Sequence, residues 1–310
     1  MRILSGWMAL AVGVWAAGAG AEPNDFRVYQ LGNPSPGGLG YDPSANARFR
    51  VFARELAAGL TSVNLSPPET LGHAGFAVNS ELSVVNFQTQ SFVFPTQQRL
   101  DDVSSGGSAP SGTVLVPSVH VRKGLPFSLE VGTRVAWIEK SRMGAATLEA
   151  KWALNEGFAY LPDVGIRAFA TRLLNSRDFD LTAGGVDLGV GKQFAVGGML
   201  TLTPYVGWNL VWVSAIPGDI DFNPGRSTRD ATADGSRAGQ LSNITVYENV
   251  DFGANAHSRF YGGLRFIGGP IQLGAELSYS SLGKFKDVDT GADSSMPRVL
   301  AFNSTIGLDF

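Results

Sequence analysis

The chain has no cysteine and only three histidines in 310 residues. Without cysteine there is no disulfide framework, no thiolate metal site and no thiol catalysis, and the absence suits an exported protein that folds without cross-links. Charge of one sign is also lacking: 24 basic residues stand against 27 acidic ones, for a net charge of −3. No basic excess advertises nucleic-acid binding. Beyond the N-terminus no segment offers ~18 consecutive apolar residues, which excludes a helical membrane protein. The scarce histidines, His73, His120 and His257, lie in no Gly-x-Ser-x-Gly elbow and no His-Glu-x-x-His pair, and the hydrolase signatures are therefore missing too.

What is present begins with an export leader. Arg2 supplies a positive start, an apolar stretch runs from Ile3 to about Ala17, and Ala19-Gly20-Ala21 matches a small-x-small cleavage site. Residues 1–21 are expected to be a signal peptide. Residues 22–74 are expected to form an N-terminal periplasmic or plug segment. Its first part is loop, rich in Gly, Pro and Asn (Asn33-Pro-Ser-Pro-Gly-Gly38). It then carries one amphipathic helix over about 44–59, capped by Asp42 or Ser44, with Phe49, Phe52, Ala53, Leu56 and Leu60 at helical spacing and Gly59 as its stop.

From Gly75 to Phe310 the period changes to two, the spacing of side chains on one strand face. About ten strands follow, with eight or twelve left open by a ragged stretch from Val246 to His257. The stretch 127–139 is the cleanest: Phe127, Leu129, Val131, Val135 and Trp137 alternate with Ser128, Glu130, Gly132 and Arg134. The last strand runs Leu300 to Phe310, with Ser304 as the only polar member of its apolar face. Each strand reaches the ~9–11 residues a tilted strand needs to cross a bilayer. The near-neutral mean hydropathy of +0.05 fits strands that show one face to lipid and the other to a lumen. The connections expected to face the periplasm, at about 123–126, 156–163, 193–198 and 268–270, are all short, and the long ones, at about 88–111, 214–246 and 284–297, all fall on the other side. The expected fold is all-β: a transmembrane antiparallel up-and-down barrel of about ten strands with one short helix. Three features strain it: Pro117 and Pro204 inside strands, and a loss of register near Gly184-Gly185 that predicts a bulge.

The leader, the strands and the aromatic C-terminus cover nearly the whole chain and together resemble a bacterial outer-membrane β-barrel protein. That resemblance implies outer-membrane lipids as surroundings and the barrel-assembly machinery as a partner that reads the C-terminal strand. The Asn33-Pro motif, the helix and Pro67-Pro68 are faintly similar to the N-terminal hatch of the long-chain fatty-acid transporter type, and small eight-stranded barrels of the membrane-anchor type are the other comparison. No functional residue is carried over from either.

Strand parity places His120, Arg122, Glu130, Arg134, Glu149, Lys151, Arg167, Arg265 and Glu276 on the lumen face, with Arg134 and Glu149 expected to pair across neighbouring strands. It places Phe127, Trp137, Trp212, Tyr279 and Phe310 outward near strand ends, as membrane girdles. Asp287, Asp289 and Asp293 alternate in a loop as weak candidates for a hard cation, although the late Glu of a calcium loop is missing and a solvated turn is the plainer reading. No cofactor is expected. The expected function is a passive channel or transporter for small or apolar solutes. The alternative is a filled structural or surface-recognition barrel whose outer loops bind a partner, and a membrane hydrolase comes third.

Overall fold

The computed structural model describes residues 24–36, 41–61, 63–87, 112–198, 200–221, 241–245, 247–286 and 293–310. The leader, Asp287 and Asp289 lie outside these residues, and Asp293 is described only as the first residue of a short strand.

Ten long strands form the wall: β1 (Phe76–Asn86), β2 (Thr113–Leu125), β3 (Leu129–Trp137), β4 (Gly144–Asn155), β5 (Asp163–Leu174), β6 (Phe179–Gly191), β7 (Leu200–Pro217), β8 (Ala256–Gly268), β9 (Ile271–Ser281) and β10 (Arg298–Asp309). Each pairs antiparallel with its neighbour in sequence, and β10 pairs with β1, so the sheet closes. The closing seam continues past the strands: the backbones of Phe76 and Phe310 exchange hydrogen bonds of 2.9 and 2.8 Å. Closure satisfies every ladder without water, which is why lipid tolerates it.

Exposure is inverted relative to a soluble protein. Leu148, Leu277, Val206 and Ile306 are 58–69% exposed on the outside, whereas Asn209, Gln272, Thr203 and Asn303 are fully buried inside. The expected girdle residues all face outward: Trp137, Trp212 and Tyr279 near the end with long connections, Phe127 and Phe310 near the end with short turns. In barrels of this kind short turns face the periplasm and long loops face out, which orients the molecule.

The ladder corrects two expectations. Strand β6 runs in unbroken register through Gly184 and Gly185, and the irregularity sits instead on β4 between Ala153 and Asn155. Gly185 is explained by its partner: a Cβ there would meet the Phe169 ring at 2.6 Å. The prolines are harmless because each faces a neighbouring strand at its end or just past it. The carbonyl of Pro204 accepts from Lys192, just past β6, and a residue's N and C=O point to the same side, so the ladder to β8 is untouched. Pro117 faces Trp137, the last residue of β3, where that ladder ends; beyond it Glu139 N donates to the Leu115 carbonyl.

The helix α1 (Ala45–Leu60) lies inside the barrel. Asp42 Oδ1 accepts from Ser44 N at 2.9 Å at its start. Gly59 does not stop it. That residue lets the Phe87 ring approach to where a Cβ would be 2.5 Å away. The helix does not rest at the mouth where β1 begins but at the opposite, outer end. There its apolar face meets inward apolar side chains of the upper wall, with Phe49 and Phe52 set edge-on to Phe179 at centroid distances of 6.2 and 5.5 Å. Val211, Val213, Ala215 and Leu181 complete that layer.

Candidate functional site

The lower half of the lumen is ionic. All nine sequence-derived lumen candidates point inward and are buried: His120, Arg122, Glu130, Arg134, Lys151, Arg167, Arg265 and Glu276 are at most 4% exposed, and the Glu149 side chain is 5% exposed. They do not pair as expected. Register sets Arg134 opposite Thr147 and Glu149 opposite Gly132, so Arg134 does not reach Glu149. Arg134 Nε binds Glu81 instead, at 2.8 Å.

The contacts form one belt. Glu81 Oε1 meets His120 Nδ1 at 2.9 Å, and His120 Nε2 meets Glu149 Oε1 at 2.9 Å. Glu149 Oε2 accepts from Arg167 Nη1 at 2.9 Å, and Arg167 Nη2 donates to Asp187 Oδ2 at 2.8 Å. Tyr261 donates to the other Asp187 oxygen at 3.2 Å. His120 thus has a carboxylate on each nitrogen, and only the imidazolium donates from both. Gly132 makes room: a Cβ there would lie 3.0 Å from His120 Nε2 and 2.9 Å from a Glu149 oxygen. A second group joins Glu130 to Lys151 at 3.0 Å and to Arg122 at 3.4 Å. Parity reasoning overlooked Glu81 and Asp187, although each lies between exposed residues, Ser80 and Leu82 beside the first and Val186 and Leu188 beside the second.

What fills the remaining space is the chain itself. From α1 residues 63–74 pass down the lumen to the start of β1, bonded to the wall throughout. The Val63 carbonyl accepts from Arg167 at 3.2 Å, Leu65 N donates to Glu276 at 3.0 Å, and Ser66 Oγ accepts from Arg122 at 2.7 Å and Lys151 at 3.0 Å. Glu69 pairs with Arg265, Thr70 N donates to Glu156 at 2.8 Å, and Leu71 N donates to Glu130 at 3.0 Å. The segment runs over inward glycines. A Cβ on Gly165 would come within 2.6 Å of the Pro68 carbonyl oxygen, and one on Gly124 within 1.8 Å of that of Gly72. These bare positions were the available signal that a second backbone lies there.

The part before the helix straps the outer end. Asn24 N donates to the Lys140 carbonyl at 2.9 Å, and Asp25 accepts from Ser141 and Arg142 in the β3–β4 loop. Arg27 pairs with Asp178 at 3.3 Å. Tyr247 stacks on Phe49 at 4.9 Å, and its hydroxyl lies 2.6 and 2.7 Å from the Val28 and Gly32 carbonyls. Burial, then the Asp178 carboxylate, pushes that phenol above its ordinary range. Among the described residues no cluster of His, Asp and Glu is arranged to hold a metal ion. His120 and His257 both face inward, and neither ring nitrogen of His257 has a hydrogen-bond partner in the protein.

The closed antiparallel wall, its apolar outside and its polar inside make this an outer-membrane β-barrel of the Gram-negative type. No family model matches the chain. No curated protein matches it either. Among solved structures it is similar to Neisserial surface protein A, with 10% identity, 76% of this chain and 97% of that one covered, and a TM-score of 0.29. It is similar to Ail, the attachment invasion locus protein of Yersinia pestis, with 11% identity, 77% and 99% coverage and a TM-score of 0.29. The outer membrane protease OmpT from Escherichia coli gives 8% identity, 79% and 98% coverage and a TM-score of 0.31. At such scores the likeness carries no argument about this chain's activity.

Proposed function

We propose that the protein is a filled structural or surface-recognition barrel, closed to diffusion, whose working surface is its outer face. The observation that carries this reading is the course of residues 63–74, which occupy the lumen and are bonded to side chains from β2, β3, β4, β5, β8 and β9 along the way. A solute following the lumen must part buried ion pairs, and each pair broken one-sidedly costs about 3–5 kcal/mol. Above the belt the helix closes the bore with packed aromatic rings. The strap from Asn24 to Gly32, the β3–β4 and β5–β6 loops and Tyr247 then form one joined outer surface suited to a partner. Catalysis has no support: both nitrogens of His120 are held by carboxylates, and no acid orients His257.

One observation favours a second reading, a gated passage. The threaded segment is tied to the lower lumen by polar contacts, which water can replace, and its buried Val63 and Leu65 stand outside the apolar layer around the helix. Planar-bilayer recording of purified, folded protein separates the two. The closed reading expects no conductance steps from the intact chain, and steps from a variant lacking residues 24–71 that retains its strands. Steps from the intact chain would transfer the assignment to the gated passage.

A further inference from the structure

The lipid-facing wall carries bulky side chains in register around the barrel. One row runs Val190, Val206, Gly262, Leu277, Phe302, Val84 across six consecutive strands, β6 to β10 and then β1. Gly262 is its only member without a side chain. The next row toward the periplasm, Pro204, Leu264, Ala275, Ser304, is small at Ala275 and Ser304. These short residues hollow the wall. A cleft of about 690 Å³ opens toward the periplasmic side between Val190, Phe194, Leu264 and Phe302. Another of about 590 Å³ opens toward the outer side beside Phe260 and Tyr279. The two meet at Gly262, Leu277 and Phe302.

The periplasmic cleft ends on a cation. Lys192 follows β6 and lines the cleft beside Phe194. Its ammonium donates to the carbonyls of Phe158 and, at 2.7 Å, Leu161, which fixes it against the β4–β5 turn. An ammonium has three protons to donate, so one remains. No carboxylate among the described residues pairs with it. An apolar furrow leading from mid-membrane to a fixed positive charge at the interface has the form of an amphiphile with an anionic head.

We propose that this cleft binds one anionic phospholipid of the periplasmic leaflet, with an acyl chain along the furrow past Ala275 to Gly262 and its phosphate on Lys192. Ordinary lipid contact coats the whole wall without choosing a headgroup. Here the notch fixes the chain and the lysine selects the charge.

The test uses the full protein purified in detergent and offered phosphatidylglycerol or phosphatidylcholine, with retained lipid counted by native mass spectrometry. The wild type should keep one phosphatidylglycerol in preference to phosphatidylcholine. Gly262→Leu fills the notch, and it should fold, because an added Cβ meets nothing nearer than a Val206 methyl at 3.5 Å. Circular dichroism of the strands checks this. Retention of both lipids should fall roughly tenfold in that variant, as when about two methylenes lose their site. Lys192→Gln should abolish the headgroup preference while leaving chain retention, and Lys192→Arg should restore it. Equal retention by wild type and Gly262→Leu, or no headgroup preference in the wild type, would overturn the proposal.

Discussion

Replacing Arg167 by Met tests whether the lumen belt is a dry, structural element. Arg167 binds Glu149 at 2.9 Å, Asp187 at 2.8 Å and the Val63 carbonyl at 3.2 Å, and its guanidinium lies 5.4 Å from the Phe169 ring centre. Its side chain is 2% exposed. Methionine keeps most of the volume and removes the charge, which leaves two buried carboxylates short of a partner and frees one anchor of the threaded segment. The expected loss is about 3–5 kcal/mol. The same strand supplies the control. Arg172 pairs with Asp180 at 3.2 Å, but those side chains are 59% and 62% exposed. Arg172→Met should cost no more than about 1 kcal/mol. Urea unfolding of protein refolded into phospholipid vesicles, followed by tryptophan fluorescence, measures both. Adding Asp187→Leu to Arg167→Met should recover part of the loss, since removing both partners spares a buried unpaired charge. If Arg167→Met and Arg172→Met fall within about 1 kcal/mol of each other, the belt is hydrated and the reasoning for a closed lumen fails.

Three further outcomes follow from single contacts. Phe49→Ala removes a ring held between Tyr247 and Phe179 and should cost about 3–5 kcal/mol, with faster amide exchange in α1 than in the wall. Tyr247→Phe should cost about 1 kcal/mol through the strap's carbonyls. Because the folded phenol titrates above its ordinary value of 10.0, the wild-type contribution should be full below about pH 10 and lost as pH rises further, while the Phe variant lacks that alkaline decline in a urea series. Deleting Phe310 removes both backbone bonds to Phe76. Membrane insertion, measured as the fraction folded into vesicles, should drop while the interior of the folded remainder stays protected from exchange.

Strand existence was legible wherever one face met lipid and the other met the ionic belt, as on β3 and β9, because alternation is then strict. It blurred on the upper part of β7. A loop is expected from 214, but the strand runs on to Pro217; there Val213 and Ala215 are buried while Ile216 faces lipid, so both faces are apolar and period two fades. Parity correctly turned Arg134 and Glu149 inward but said nothing of which side chains meet. That depends on register and on strand tilt around the closed wall, and it delivered Arg134 to Glu81. The helix was readable from its spacing. Its position was not, because that depends on matching its apolar face to the apolar upper storey of the bore. The route of residues 63–74 left its trace in the wall, as missing side chains at Gly124 and Gly165, and not in its own composition.

That route changes the count of crossings. The wall has ten strands, and an even wall by itself returns both ends of a chain to one side of the membrane. This chain makes an eleventh passage through the middle of its own barrel, from Leu60 down to Phe76. Asn24 therefore stands at the outer face, against the Lys140 loop, while Phe310 stands at the periplasmic rim. An epitope placed before Asn24 would meet antibody on intact cells and one placed after Phe310 would not.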